Sequence, residues 1–441
     1  MTVNSAAVPK VNRSLSRITC PHCWEVFPPE KILWVAEHAD LLGDPMLGDE
    51  EMQRFLPTRF TVGGDAIDAR GFPCHVLACP HCHLTIPRPM IELEPFFMSI
   101  FGAPASGKSY FLASMTWQLR QTLSSKFGCS FNDADPGMNQ LLNEYEESLF
   151  LNPKANEILP LASLIRKTEE QGDLYDSVSY GNQVVSYPRP FLFAMQPEKG
   201  HLHEAQVDKI GRVVCLYDNA GESFQPGKDK VGSPLTRHMA HSRTLMYVFD
   251  PTQDGRFRKS MDSLSNDEGE IAYSEKLSRQ EPILQEAASR IRRYAKLRQT
   301  EKHRRPLIVV LTKYDAWSHL LAPLVGEDDN SEPFKVVQGK SGKKVHALDT
   351  PRIQRYSKFT RKILMNSCPD IVAAAENFSD EVIYMPVSAV GWCARKDREN
   401  GMLAMRPSEA NPFWVTVPYL YSLHRCIPGL IPGIKAKEGA S

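Results

Sequence analysis

Apolar runs closed by polar or glycine-containing turns recur along most of this chain, at residues 96–101, 187–195, 212–217, 244–249, 307–311 and 382–387. Short runs rich in Val, Ile, Leu and Phe predict buried β-strands. Between or after most of them lie stretches of helical composition: 110–123, 282–297, 352–377 with a break at Pro369, and 412–424. Pro282 suits a first helical turn, where its missing amide hydrogen costs nothing. Strands alternating with helices predict an α/β fold, a mostly parallel sheet with helices on both faces. Two segments, 127–186 and 326–346, interrupt the alternation and read as insertions.

The beginning of the chain has a different texture. Residues 1–17 are polar, lack a signal-peptide core and read as disordered. Residues 18–90 form a small proline-rich unit, and Pro87-Arg88-Pro89 marks its junction with the larger domain, 91–428. The end, 429–441, reads as a flexible tail.

Chemistry enters with Gly102-Ala103-Pro104-Ala105-Ser106-Gly107-Lys108-Ser109, a complete G-x-x-x-x-G-K-[ST] phosphate loop between a predicted strand and a predicted helix. Glycines at 102 and 107 let the backbone curl so that amide groups point at phosphate oxygens, helped by the positive end of the helix. The predicted cradle is Gly102, Ala105, Ser106, Gly107, Lys108, Ser109 and Tyr110. Lys108 would bridge the outer phosphates, and the Ser109 hydroxyl would hold Mg²⁺.

In the small unit, Cys20-Pro21-His22-Cys23 and Cys79-Pro80-His81-Cys82 are nearly identical knuckles. Two C-x-x-C pairs supply four thiolates, enough to close a tetrahedral structural Zn²⁺ site, so 18–90 reads as zinc-ribbon-like with Cys20, Cys23, Cys79 and Cys82 as ligands. The long gap between the pairs predicts an insertion with its own helix near 30–42. His22, Cys74, His75, His81 and His83 are rival ligands.

Composition narrows the classes. Lys and Arg number 52, as do Asp and Glu, so no overall charge advertises nucleic acid or an anionic surface. No apolar run approaches the ~20 residues that span a bilayer. A cytoplasmic protein is expected, with Cys129, Cys215, Cys368, Cys393 and Cys426 as reduced packing residues.

The later strands end in residues that can choose a nucleotide. After 213–217 comes Asp218-Asn219-Ala220-Gly221-Glu222, where Asp218 can hold Mg²⁺ through water and the Gly221 amide can approach a γ-phosphate. After 307–311 comes Thr312-Lys313-Tyr314-Asp315. The Asp315 carboxylate can accept from guanine N1–H and its 2-amino group together, whereas adenine offers no such pair, and the Lys313 stem would pack along the base. After 383–387 comes Ser388-Ala389, whose Ala389 amide could donate to guanine O6.

With these four motifs in order, residues 94–425 resemble P-loop GTPases of the translation-factor-related (TRAFAC) class that includes Ras-like switches. The resemblance implies a Ras-like sheet with one antiparallel strand, GTP and GDP binding with Mg²⁺, hydrolysis, and a conformational switch read by a protein effector or activating partner. The zinc-knuckle front end is similar to uncharacterised bacterial GTPases associated with conflict systems. Three departures stand out. Thr312 replaces the commoner Asn, and its hydroxyl can still tie the base loop to the phosphate loop. Glu222 stands where Ras-like proteins carry a water-positioning Gln, which predicts slow intrinsic hydrolysis. The class also expects a switch threonine for Mg²⁺ and γ-phosphate; Thr168 is the candidate, the alternative being an ordinary exposed helix residue.

The catalytic set is then Lys108, Thr168, Gly221 and Glu222, with 166–173 and 219–232 as switch elements and Arg166, Arg189, Arg237 or Arg243 as a charge-stabilising arginine. Two other readings compete. One is a module that holds nucleotide without meaningful turnover. The other makes the zinc unit a nucleic-acid reader, which the neutral charge disfavours, the run 302–305 being more simply a solvated helix end.

Overall fold

The computed structural model describes residues 15–165, 174–219, 224, 234–262, 277–326, 331–338, 344–396 and 402–434. The chain divides into two compact units, one of Met1–Pro95 with Val178–Val185 and one of Phe96–Ser177 with Ser186–Ser441. The first unit thus runs to Pro95, beyond the junction expected at 90, and Ile91 packs against its cluster of Trp34, Ala66, Cys74 and Leu77.

The first unit is built from short antiparallel pairings. Its largest sheet has four strands, and Leu33–Val35 is central in it, paired with Leu77–Ala78 and with Arg54–Phe55. The helix expected at 30–42 is absent: only Pro29–Lys31 makes a 3-10 turn. Trp34 and Val35 favour a pleated, half-buried surface, and Trp34 packs with Ala66, Cys74 and Leu77 in a small core. In Val178–Val185, the Ser179 amide donates to the Met46 carbonyl at 2.8 Å.

The second unit is a mixed α/β body around a seven-stranded sheet. Its strands are β1 (Glu94–Gly102), β2 (Cys129–Asp133), β3 (Phe191–Pro197), β4 (Arg212–Asp218), β5 (Thr244–Phe249), β6 (Leu307–Leu311) and β7 (Val382–Pro386), in the order β2-β3-β4-β1-β5-β6-β7. β1, β5, β6 and β7 are parallel. β3 runs antiparallel to both β2 and β4. Every residue of β5 and β6 is buried, the pattern required of strands covered on both faces.

The unit also holds helices α1 (Lys108–Thr122), α2 (Gln140–Phe150), α3 (Pro234–His241), α4 (Glu281–Tyr294), α5 (Tyr314–Val325), α6 (Thr350–Ser367), α7 (Pro369–Phe378) and α8 (Val417–Cys426), with further helices at Leu161–Leu164, Val207–Ile210 and Gly255–Asp262. The expected break at Pro369 separates α6 from α7. The last helix starts at Val417 rather than 412, and Trp414, Tyr419, Leu420 and Tyr421 are all buried.

Three other expectations change. The strand expected at 187–195 is two strands, Gln183–Pro188 and Phe191–Pro197, since Pro190 cannot donate to a ladder. The insertion 127–186 is partly built into the sheet, supplying β2 as its edge. The basic run 302–305 is no solvated helix end: His303 is buried, and Arg305 Nη1 donates to the carbonyls of Ala240 and Ser242, both at 2.6 Å, capping the end of α3. Among the described residues, no helix is long and apolar enough to cross a membrane.

Candidate functional site

In the first unit, Cys20, Cys23, Cys79 and Cys82 are buried, and their sulfurs all lie within 4.8 Å of one another. The Cys20–Cys82 and Cys23–Cys79 separations are 3.7 Å. A tetrahedral ion with metal–sulfur bonds of ~2.3 Å places its sulfurs ~3.8 Å apart, so the four thiols fit a metal such as zinc.

The two knuckles repeat one geometry. The His22 amide donates to Cys20 Sγ at 3.3 Å and the His81 amide to Cys79 Sγ at 3.4 Å, while Trp24 and His83 each take φ 60°. Amides aimed at sulfur favour thiolates. Burial pushes the Cys20 thiol well up, whereas hydrogen bonds from Cys20, Cys23 and Cys82 hold the Cys79 thiol far below the ordinary range.

The rival ligands are engaged elsewhere. His83 Nδ1 lies 2.8 Å from Asp44 Oδ2, His22 Nε2 lies 3.1 Å from the Thr85 carbonyl, and His75 Nδ1 lies 3.1 Å from Asp65 Oδ1. Cys74 Sγ turns to the Phe72 carbonyl at 3.6 Å, and the His81 ring packs near Phe27.

In the second unit, four parallel strands deliver their C-terminal residues to one edge of the sheet. β1 runs directly into the Gly102–Ser109 loop, β6 into Thr312–Asp315 and β7 into Ser388 and Ala389. Asp218 closes β4, and the following Asn219 donates to the Ile100 carbonyl from its backbone at 3.2 Å and from Nδ2 at 2.8 Å, which sets the end of β4 beside β1.

The glycines are required by geometry. A Cβ on Gly102 would stand 2.2 Å from the Val248 carbonyl oxygen, and Gly107 caps α1 at φ 87°. Gly102→Ala is therefore expected to cost on the order of 3 kcal/mol of stability, read as a shift of the denaturant midpoint.

Lys108 is buried, and its Nζ donates to the carbonyls of Gly102 at 3.2 Å and Ala103 at 2.9 Å, folding the ammonium inside the loop. The Ser106 hydroxyl is buried without a hydrogen-bond partner. Ser109 is half-buried in the first turn of α1. Ala105 adopts φ 59°. The Tyr110 hydroxyl donates to the Leu161 carbonyl at 2.5 Å, and burial pushes its pKa up.

The residues expected from sequence to read a base sit against this loop. Thr312 Oγ1 donates to the Ser106 carbonyl at 2.9 Å. Lys313, at φ 55°, extends its ammonium to 2.6 Å from Asp250 Oδ2. The Ser388 hydroxyl donates to Asp315 Oδ1 at 2.5 Å, and the Gly391 amide donates back to Ser388 Oγ at 2.9 Å. The Asp315 carboxyl is pushed up to about 6, by burial above all and against the pull of Ser388. The Ala389 carbonyl accepts from Ser114 Oγ of α1 at 2.7 Å.

Asp250 and Gln253 were not singled out from sequence, yet both touch this edge; Gln253 Nε2 donates to the Ala105 carbonyl at 2.8 Å. The signal was available, since they follow an apolar run, and parallel strands carry their C-terminal residues to a common crevice.

Thr168, Gly221 and Glu222, with Arg166 and most of both switch elements, lie outside the described residues. Of the remaining arginines, Arg243 precedes β5 and so stands at the opposite end of the sheet from the phosphate loop. Arg189 stands at the near end, two residues before Phe191, whose partner is Leu216, and pairs with Asp176 at 2.5 Å. Arg237 on α3 donates from Nε to the Tyr294 hydroxyl at 3.3 Å.

No protein-family model matches the chain. It is similar to a protein of Mycolicibacterium smegmatis provisionally named ESX-1 scaffolding and assembly protein SaeC, with 23% identity over 264 residues. The match covers 56% of this chain and 60% of that protein, less than two thirds of its length.

Proposed function

We propose that the chain is a Ras-like P-loop GTPase that binds a guanine nucleotide with Mg²⁺ and hydrolyses it slowly, with a structural zinc in its first unit. One observation carries this reading: residues more than two hundred positions apart, a phosphate loop and a base-reading aspartate, are brought to one sheet edge and joined by the 2.9 Å bond from Thr312 to Ser106. A mostly parallel sheet with β3 reversed is also what the resemblance implies.

Lys108 would meet the outer phosphates by exchanging its bonds to the Gly102 and Ala103 carbonyls. Ser109 and Asp218 would hold Mg²⁺, which when bound offsets charge on the phosphate oxygens. Asp315 would accept both guanine donors, kept in place by Ser388. A nucleic-acid role for the zinc unit finds no support in its charge, since residues 18–95 carry five basic and twelve acidic side chains.

The test compares GTP and ATP binding and turnover by the wild type and by Asp315→Asn. The wild type is expected to prefer GTP by about a hundredfold or more, and the variant to lose that preference, because a mispaired buried donor or acceptor costs several kcal/mol. Equal handling of both nucleotides by the wild type would reject the guanine assignment.

A pH profile adds an independent check. With its folded pKa raised from about 3.9 to about 6, Asp315 is protonated more in the folded than in the unfolded chain between those values, so it costs the nucleotide-free protein stability as pH rises through that window. Guanine needs the ionised form. Affinity should fall about tenfold per unit below pH 6 and level off above it.

The scaffolding name of the related protein favours one variant of this reading, in which nucleotide occupancy rather than turnover governs assembly with a protein partner. Single-turnover kinetics separates the two, since an occupancy device keeps its GTP over many minutes.

A further inference from the structure

Resting on the nucleotide reading, we propose that His238 is a positioning residue for Asp218: from α3 it grips the residue on each side of that aspartate and fixes it relative to the phosphate-loop strand. The grip on Tyr217 is by stacking, with ring centroids 4.7 Å apart and planes 14° from parallel. The grip on Asn219 is a hydrogen bond, His238 Nε2 to Asn219 Oδ1 at 2.7 Å. The far side of the imidazole meets β1, with Nδ1 2.8 Å from Ser99 Oγ.

The bonding pattern fixes the protons. Asn219 Nδ2 faces the Ile100 carbonyl, which can only accept, so Oδ1 faces the histidine and Nε2 must carry the hydrogen. Nδ1 then accepts from the Ser99 hydroxyl, and Ser99 Oγ accepts in turn from Ser242 Oγ at 2.6 Å, whose single hydrogen is shared with the His238 carbonyl at 2.9 Å. The ring is a neutral ε-tautomer, and burial, with His241 adding to it, pushes its pKa down to about 3.

A core position would be filled more cheaply by an apolar side chain, since a buried polar array is costly unless every member is satisfied. Here the array is satisfied, and its ends are not random. Ser99 lies three residues before Gly102 on β1, and Asn219 follows Asp218 directly. The array therefore ties the turn that would present a carboxylate to Mg²⁺ to the strand that carries the phosphate cradle.

The test uses the full-length chain and a fluorescent guanine nucleotide, titrated with Mg²⁺ or held in EDTA. His238→Ala and Asn219→Ala should each raise the Mg²⁺ concentration for half-maximal binding tenfold or more, while affinity in EDTA changes less than twofold. His238→Gln, which keeps a donor near the Nε2 position, should recover most of the loss. A merely structural histidine would lower the unfolding midpoint in all three and leave the Mg²⁺ requirement where it was, and that result overturns the proposal. Should the alanine variants not fold, long-range ¹H–¹⁵N spectra of the wild-type imidazoles decide: an ε-tautomer for the buried ring supports the clamp, and a δ-tautomer or a charged ring overturns it. Absence of nucleotide binding by the wild type defeats the parent reading instead.

Discussion

Lys108→Ala is expected to lower GTP turnover and nucleotide affinity by at least a hundredfold while shifting thermal stability only slightly. The asymmetry follows from where the ammonium sits. It is buried inside the curl of its own loop, bonded to the Gly102 and Ala103 carbonyls, and occupies the first helical position of α1, where alanine is a favourable replacement. Removing it withdraws the one side-chain cation of the phosphate loop, and preorganised charge of that kind is worth roughly 10²–10³ in rate. Lys108→Arg should not rescue, because a planar guanidinium cannot fold back into a space shaped for an ammonium. Steady-state phosphate release and equilibrium binding give the answer; turnover unchanged in Lys108→Ala would locate the chemistry elsewhere.

The second large effect concerns the four-cysteine cluster. One zinc per chain is expected on elemental analysis, and its removal by a strong chelator, or Cys79→Ser, should unfold the first unit. Its buried apolar side chains, the cluster of Trp34, Ala66, Cys74 and Leu77 together with Ile18, Trp24, Phe27 and Ile86, are too few to hold a unit of this size built from short strands. Binding free energies on the order of 10 kcal/mol are characteristic of structural zinc and are effectively folding free energy in units of this size. Trp24 and Trp34 are both buried and report directly, since their emission should shift to longer wavelength as the metal leaves. Unchanged emission after complete metal removal would contradict the structural role.

How much of this was legible follows from the range over which each feature is determined. The strands 244–249 and 307–311 stand where their apolar runs predicted, because strands buried on both faces must be apolar at every position. The two C-x-x-C knuckles were legible for a similar reason, since metal geometry demands local spacing. The first unit's other strands were not. Arg54–Phe55 and Ala66–Ile67 are two residues long, shorter than any period; the first exists because Leu33–Val35 pairs with it, and the second is one arm of a hairpin with Pro73–Cys74.

β2 was missed for a related reason: in Cys129–Asp133 only Cys129 and Phe131 face inward, too few to stand out, and antiparallel pairing with β3 completes the assignment. Arg305 read as a surface charge because nothing local announces that the end of α3 needs a donor. Asp250 and His238 depend on partners 63 and 19 residues away, and only the folded sheet brings them together.

The contact between Gly102 and Val248 has one more consequence. With the oxygen of β5 pressed where a side chain would begin, these two strands cannot slip past one another by even one residue without collision. The centre of the sheet is therefore no shear plane. On the proposed reading, any motion between nucleotide states must be taken up by the connections around it, and amide hydrogen exchange at 98–102 and 244–248 should be equally slow with GTP, with GDP and with neither.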